Sequence, residues 1–221
     1  MPKKITEYPL LPLLRQFIHD AKKGKHLQKN GKKIKPDSVQ NYYYLELLLT
    51  KFSEKRKFII RIKSINGLTK KQFEDEKKYW KEFYLLFTGY MYDDLEHYDN
   101  YVGRSVKLLR SFFNYLITEK GLPIGNFHKK FYAPSEDVEI VVITAERLNH
   151  LIYHSDLGNS LNEELLKVKD VFVFGCAVAL RFSDLMVLKK ANLEWINDRT
   201  YLKVKSKKTQ TFTRVKLPEY A

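Results

Sequence analysis

Cysteine is nearly absent from this sequence: Cys176 is the single one in 221 residues. One cysteine cannot form an intrachain disulfide, and it excludes a cysteine-rich zinc site. Its neighbours are apolar, so we expect Cys176 to be a small core residue in a protein of a reducing compartment. Three enzyme signatures are missing too: a glycine-rich phosphate loop, a Gly-x-Ser-x-Gly motif and a paired His/Glu metal motif.

Long hydrophobic runs are also lacking. The most apolar segment, VFVFGCAVAL, lies between Asp170 and Arg181 and is too short to span a bilayer. The N-terminus, MPKKITEYPLLPLLRQ, has no sustained apolar core of signal-peptide length. We therefore expect no membrane association and a cytoplasmic location.

Positive charge, by contrast, is in excess. The chain has 40 Lys+Arg against 26 Asp+Glu, a formal net charge of +14. Hydrophobic residues make up 44% of the sequence and aromatic residues 14%, which indicates a folded core. Such a basic, folded chain is typical of proteins that bind polyanions, above all nucleic acid. A merely basic protein without a polyanionic partner is the alternative that charge alone leaves open.

Helical periodicity dominates the first 120 residues. It predicts four amphipathic helices, over 10–23, 38–56, 69–91 and 100–120. Asp37 or Ser38 is expected to cap the second helix, and Thr69 stands at capping-box spacing before the third. A basic loop, 22–35, separates the first two helices.

The fourth predicted helix has two contrasting faces. The apolar face is wide and consists of Val102, Val106, Leu109, Phe112, Phe113 and Leu116. The other face, the polar strip, consists of Arg104, Lys107, Arg110, Ser111 and Asn114. No acidic residue interrupts the strip before Glu119. The strip is therefore either an ordinary solvated face or a surface for phosphates.

The helical rhythm breaks at 122–142, which we predict to be a linker, with the domain boundary at 136–142. Beyond it, Thr144 is expected to cap a short helix, a longer apolar helix is expected over about 161–181, and Ser183 is expected to cap another. Hydrophobicity then alternates in TYLKVKSKK and TFTRVKLP, which predicts a β-hairpin with its turn at Thr209 and Gln210.

Arg181 follows the apolar helix directly, and a buried guanidinium is costly without an anionic partner. Asp184 could hold it in position from the first turn of the next helix. An arginine fixed in this way, with a lysine from the hairpin, suits a phosphodiester: the guanidinium neutralises charge and the ammonium donates a proton. A structural ion pair beside a basic hairpin is the alternative. His150 and His154 have metal-ligand spacing, but without a third ligand nearby we expect no metal.

These residues resemble a known family. The segment ALRFSDLMVL is similar to the first catalytic box of the tyrosine recombinases, the phage- and transposon-type integrases. The hairpin KVKSKKTQTFTRVKLP resembles the family's β2–β3 segment, with Lys208 nine residues before Leu217, as for the family's catalytic lysine. The segments DNYVGRSVKLLRSFFNYLITEKG and VVITAERLNHLI resemble the end of the core-binding domain and the start of the catalytic domain.

The resemblance implies a mainly α fold. Residues 1–135, including the basic loop 22–35, would form a SAM-like four-helix core-binding domain that clamps DNA. A linker at 136–142 would lead to residues 143–221, an incomplete α+β catalytic domain with a small antiparallel hairpin or sheet.

The resemblance also implies roles for single residues. Arg181 would bind the scissile phosphate, Asp184 would orient Arg181, and Lys208 would protonate the leaving oxygen. Duplex DNA would be held by six residues of the first domain: Lys35, Ser38, Asn41, Arg104, Lys107 and Arg110. Strand exchange in this family passes through a 3′-phosphotyrosine and needs no metal or other cofactor. The full-length form would self-associate on double-stranded DNA and be nucleoid-associated when bound.

Two family elements are missing from these 221 residues. No histidine is followed by arginine at His-x-x-Arg spacing, and Tyr220 lies too close to the hairpin to be the family's nucleophile. The chain therefore resembles a recombinase that stops midway through its catalytic domain, and we expect it to be inactive alone. A non-catalytic DNA-binding protein of regulatory or architectural type, and an RNA-binding helical protein, are the alternatives.

Overall fold

The computed structural model describes residues 6–27, 31–154 and 160–219. As predicted, the described chain is mainly helical with a small antiparallel sheet. It divides into two compact units, Met1–Val138 and Glu139–Ala221. None of the helices in the described ranges has both the length and the hydropathy of a membrane span.

The first unit contains four long helices and a two-stranded ribbon. In chain order its elements are β1 (Glu7–Pro9), α1 (Leu10–Lys22), α2 (Pro36–Arg56), β2 (Arg61–Lys63), α3 (Lys70–Gly89) and α4 (Asp99–Thr118). A π-helical turn, Tyr90–Asp94, continues α3, and a 3-10 helix, Phe127–Lys130, follows α4.

An aromatic core joins the helices of this unit. Phe52 of α2 lies 5.8 Å from Phe83 and 5.3 Å from Phe87 of α3, between ring centroids. Trp80 meets Phe113 of α4 edge to face at 5.1 Å. All six residues of the predicted apolar face of α4 are buried, which confirms that assignment. Burying each such side chain contributes about 1.5–3 kcal/mol, so this core dominates the stability of the unit.

Of the two helix caps predicted in this unit, the structure confirms the one of α3 but not the one of α2. Thr69 and Gln72 form the predicted capping box at the start of α3. The cap predicted for α2 was wrong, because Lys35 is the N-cap residue and neither Asp37 nor Ser38 is. Pro36 explains the difference: its fixed φ suits the first helical position, where its missing N–H would have had no partner.

Strand β2 is fastened to α3 by one charged and aromatic cluster that the sequence did not predict. Arg61 Nη1 donates to both carboxylate oxygens of buried Glu76 at 2.6 Å. The Arg61 guanidinium lies 3.9 Å from the Tyr79 ring centroid. The Tyr79 hydroxyl accepts from Arg61 N at 2.9 Å and donates to the carbonyl of Ile59 at 2.8 Å. Burial raises the pKa of Tyr79 to about 12, so the hydroxyl keeps its proton for the second bond.

Residues 122–134 are not a linker, which corrects the first part of that prediction. Ile124 and Phe131 are 5% and 3% exposed and belong to the core of the first unit. Pro134 packs on α4 so closely that a Cβ at Gly103 would lie 1.8 Å from its carbonyl oxygen. Packing rather than periodic secondary structure holds this stretch, whereas residues 135–143 have no helix or strand and are exposed or half-buried.

The second unit consists of one longer helix, two shorter helices and a three-stranded sheet in the residues that the structure describes. Its elements are α5 (Ala145–Tyr153), α6 (Glu163–Val178), α7 (Phe182–Leu185), β3 (Leu193–Ile196), β4 (Arg199–Lys205) and β5 (Phe212–Lys216). The sheet has the order β3-β4-β5 and is antiparallel throughout. The predicted hairpin is thus confirmed as β4 and β5, and β3 adds a strand that was not predicted.

The helix ends predicted for this unit are confirmed only in part. Thr144 caps α5 as predicted, its hydroxyl accepting from the backbone of Arg147. Helix α6 ends at Val178 rather than near 181, because Ala179 takes a left-handed conformation with φ 50°. Ser183 lies inside α7 and does not cap it, so that prediction was wrong.

The core of the second unit is small. Its buried apolar side chains in the described ranges are Val178, Leu202 and Val204. Cys176 is half-buried, so it is less enclosed than we expected.

Candidate phosphate site and nucleic-acid interface

Arg181 occupies the N-cap position of α7, directly after the turn made by Ala179 and Leu180. Its side chain is 53% exposed, so the guanidinium has left the apolar layer. Nη1 donates to the hydroxyl of Ser206 at 3.0 Å and lies 3.9 Å from Asp184 Oδ2. Two contacts thus hold one side of the guanidinium, while more than half of the side chain stays accessible to an anion.

Asp184 is the buried partner of this arrangement, with 2% of its surface exposed. It lies in the first turn of α7, where the helix dipole favours a negative charge. Its Oδ1 accepts a hydrogen bond from the backbone nitrogen of Lys207 at 2.9 Å. The carboxylate therefore contacts the guanidinium with one oxygen and the hairpin with the other.

The hairpin turn is built by backbone bonds around Lys208. The nitrogen of Ser206 donates to the carbonyl of Thr211, and the nitrogen of Gln210 donates to the carbonyl of Ser206, both at 2.8 Å. Gln210 adopts a left-handed φ of 62°, which closes the turn. Lys208 lies in the middle of the turn with an exposed side chain.

Lysine and arginine side chains on the strands of the sheet contact partners other than Asp184. Glu194 of β3 contacts Lys203 Nζ at 3.0 Å and Arg214 Nη2 at 2.9 Å. The hydrogen bond from Lys203 lowers the pKa of Glu194, with Arg214 acting in the same direction. Lys205 lies 5.6 Å from the Phe212 ring centroid, on the strand rather than in the turn. The structure therefore separates Lys207 and Lys208, on the turn that Asp184 contacts, from the lysines of the strands.

In the first unit, residues at the start of α2 and two residues of the polar strip of α4 line one open groove of about 1070 Å³. Lys35 is the N-cap residue of α2 and Ser38 lies in its first turn, while Ser111 and Asn114 come from α4. Lys25 of the basic loop lines the same groove. The structure thus brings together residues that the sequence assigned separately to two helices and a loop.

The remaining predicted contact residues lie further along the same two helices. Arg104 Nη2 donates to Asn41 Oδ1 at 2.5 Å, which joins two of them across α2 and α4. Lys107 is exposed and Arg110 is half-buried. The six predicted residues therefore lie on two neighbouring helices or, for Lys35, at the N-cap of one, and all have at least part of their surface accessible.

His128 supports the groove from behind, and sequence analysis missed it. Its ring is 1% exposed and stacks on Phe113 at 5.2 Å. Burial lowers the pKa of His128 to about 4, so the ring is neutral near pH 7. Nε2 lies 2.8 Å from Asn114 Oδ1, where it donates, because a carbonyl oxygen can only accept. This bond turns the Asn114 amide nitrogen away from His128 and leaves it available as a donor. No sequence pattern indicates this role of His128, because the residue lies in a non-periodic segment.

The two histidines at metal-ligand spacing lie side by side on α5 and its C-terminal end. The ring centroids of His150 and His154 are 4.2 Å apart. Within the described ranges, no three His, Cys, Asp or Glu side chains are grouped as metal ligands.

Comparisons with protein-family models, with curated proteins and with solved structures found no match to this chain.

Proposed function

We propose that this chain is the DNA-binding part of a site-specific recombinase of the tyrosine recombinase type. The observation that carries the proposal is the buried carboxylate of Asp184, which contacts Arg181 and the backbone of Lys207 at once. A fixed guanidinium beside a lysine-bearing turn is what phosphoryl transfer needs for charge stabilisation and proton donation.

Each group has a defined role in the proposed chemistry. The guanidinium of Arg181 binds the non-bridging oxygens of the scissile phosphate and offsets the charge that develops there. Asp184 is a positioning residue that acts through Arg181. When a tyrosine oxygen attacks phosphorus, the 5′-oxygen leaves, and Lys208 Nζ gives it a proton. No metal or other cofactor takes part.

The first unit acts in this proposal as a SAM-like core-binding domain. Its groove between α2 and α4 presents Lys35, Ser38 and Asn114 to the DNA backbone. The positions of Asn41, Arg104, Lys107 and Arg110 on the same two helices extend the contact surface. Hydroxyl, amide and cationic donors of this kind bind phosphate oxygens and fix orientation without reading sequence.

Arg181, Asp184 and Lys208 cannot form a covalent bond to DNA by themselves. A His-x-x-Arg motif is missing from the 221 residues. The proposal for this chain is therefore duplex binding and phosphate contact, whereas strand exchange and self-association on DNA are proposed for a longer form, in the cytoplasm and on the nucleoid.

The test measures duplex affinity by fluorescence anisotropy over a range of salt concentrations. Each phosphate contact contributes about −0.9 to the slope of log affinity against log salt. We expect Arg181→Ala and Lys208→Ala each to make the slope less steep by about 0.9. Arg199→Ala is the matched control, because Arg199 is an exposed arginine of the same sheet and lies outside the arrangement.

The comparison between variants decides the outcome. If Arg181→Ala and Arg199→Ala behave alike, Arg181 is a structural ion and the proposed phosphate role is wrong. Arg181→Lys should keep the slope yet weaken binding, because a lysine cannot contact an anion through two parallel N–H groups. A competition between duplex DNA and RNA of equal length separates the recombinase proposal from an RNA-binding function.

A further inference from the structure

A second concave site lies in the first unit, between α3 and the 3-10 helix Phe127–Lys130. It is a pocket of about 420 Å³ whose aromatic lining is formed by Trp80, Tyr84, Phe127 and Phe131. Lysines surround it on both sides, namely Lys77, Lys78 and Lys81 from α3 and Lys130 from the 3-10 helix. None of these residues belongs to the groove between α2 and α4.

The aromatic walls are held in place. The rings of Tyr84 and Phe131 stack at 5.5 Å, and the Tyr84 hydroxyl donates to the carbonyl of Tyr132 at 3.0 Å. Gly125 leaves room for Phe127, since a Cβ there would lie 2.2 Å from the Phe127 ring. Trp80 is 2% exposed and locked in the core. The pocket is therefore a preformed apolar cavity of the size that small ligands occupy.

The rim of the pocket has an excess of positive charge. Four ammonium groups face one carboxylate, Glu74, which contacts Lys77 at 2.5 Å. In the parts of the chain that the structure describes, no carboxylate lies within ion-pair distance of Lys78, Lys81 or Lys130. The rim thus complements a negative charge, while the lining complements an apolar body.

We propose that this pocket binds a small amphipathic anion, an aromatic ring system carrying a carboxylate. Rings fill the space beside Tyr84 and Phe127, and the carboxylate lies among the ammonium groups at the rim. A duplex cannot enter a cavity of this size, so the site is separate from DNA binding and its existence does not depend on the proposed function.

The test uses 1-naphthoate as the probe and Trp80 as the reporter. The chain has two tryptophans, Trp80 and Trp195. Trp195 is 77% exposed, so Trp195→Phe isolates the Trp80 fluorescence without disturbing the core. We expect saturable quenching by 1-naphthoate in the full 221-residue chain. The neutral analogue 1-naphthalenemethanol, which has the same ring, should bind about tenfold more weakly, because it lacks the charge that the rim attracts.

Charge reversal supplies the second arm. The pair Lys81→Glu and Lys130→Glu should weaken 1-naphthoate binding by at least about tenfold and leave binding of the neutral analogue nearly unchanged. The matched control is Lys70→Glu with Lys71→Glu, two exposed lysines of α3 outside the pocket. The proposal is overturned if quenching is absent, if the control pair weakens binding equally, or if the neutral analogue binds as tightly as the anion.

Discussion

Asp184 Oδ1 accepts a hydrogen bond from the backbone nitrogen of Lys207 at 2.9 Å, while Oδ2 of the same carboxylate lies 3.9 Å from Arg181. One buried side chain therefore sets the position of the arginine and of the turn that carries Lys208. The two cationic residues of the candidate site are coupled through it, although Arg181 and Lys208 are 27 positions apart in the sequence.

Removing this carboxylate should loosen the turn. We expect Asp184→Ala to lower the free energy of unfolding by about 1–3 kcal/mol, because it leaves a part-buried donor without its acceptor. Hydrogen exchange at the Lys207 amide measures the bond directly and should lose most of its protection. Asp184→Asn keeps an acceptor oxygen and should retain part of that protection. Ser183→Ala, an exposed change in the same helix, is the control; equal protection at Lys207 in all three variants would disprove the coupling.

The polar strip of α4 should dominate nonspecific DNA affinity. Replacing Arg104, Lys107 and Arg110 together by alanine is expected to reduce the salt slope by about 2 to 3 units, since each lost phosphate contact removes about 0.9. Alanine at Lys51, Lys70 and Lys71, three exposed lysines elsewhere in the first unit, removes the same charge. A similar loss of slope in both triple variants would mean that net charge, and not the strip, governs binding.

Stability should fall between pH 6.5 and pH 4 because of His128. Its ordinary pKa is about 6.5, and burial lowers the folded-state pKa to about 4. Over this interval the unfolded chain binds the proton and the folded chain does not, so acid favours unfolding by up to about 3 kcal/mol. Urea unfolding at several pH values measures the effect. Burial also lowers the pKa of His26, which adds in the same direction.

A variant at 128 distinguishes the contribution of His128 to the pH dependence from that of the other titrating groups. His128→Gln is expected to remove most of the pH slope in this range, whereas His19→Gln, at an exposed position, should leave it unchanged. If the slope survives His128→Gln, the ring of His128 takes up a proton in the folded state and does not hold Asn114 as a neutral donor.

Gly103 and Gly89 offer a matched pair of helical glycines. Alanine at 103 would place its methyl group 1.8 Å from the Pro134 carbonyl oxygen, so residues 131–136 must shift. We expect a loss of about 1–3 kcal/mol, together with faster tryptic cleavage at Lys129 and Lys130. Alanine at 89 meets only Asp93 Oδ2 at 3.4 Å and should be neutral or stabilise by up to about 1 kcal/mol. Equal thermal stability of the two variants would show that 122–134 does not depend on this contact.

No covalent protein–DNA adduct should form with the 221-residue chain. Arg181 and Lys208 can offset charge and deliver a proton, but neither supplies the attacking group that covalent catalysis requires. Incubation with nicked duplex substrates, followed by denaturing electrophoresis, should show no protein-linked DNA. A shifted band, with the modified tyrosine located by mass spectrometry, would show that a nucleophile lies within this sequence.

Local chemistry explains which elements the sequence predicted well. Thr69 and Thr144 each provide a side-chain acceptor for a helix start, and such a cap acts within three residues. The hairpin could also be predicted, because hydrophobic and polar residues alternate along the sequences of β4 and β5. The end of α6 was missed because Ala179 takes a left-handed conformation that its residue type does not suggest.

Tertiary contacts explain what could not be predicted. Strands β1 and β2 have three residues each, too few to show a period. The bond between His128 and Asn114 joins a non-periodic segment to a helix, and packing alone creates it. In the candidate site, the residues themselves indicated Arg181 and Asp184 and the resemblance indicated Lys208, but nothing in the sequence pointed to Ser206 as the acceptor for Arg181.

The cluster of Arg61, Glu76 and Tyr79 has a consequence for how this sequence can diverge. Glu76 is buried, so loss of Arg61 alone would leave an unpaired carboxylate in the core, and a lysine at 61 could not stack as a plane on Tyr79. Among homologues that keep β2 against α3, these three positions should therefore covary: either all three persist, or an apolar set replaces them together.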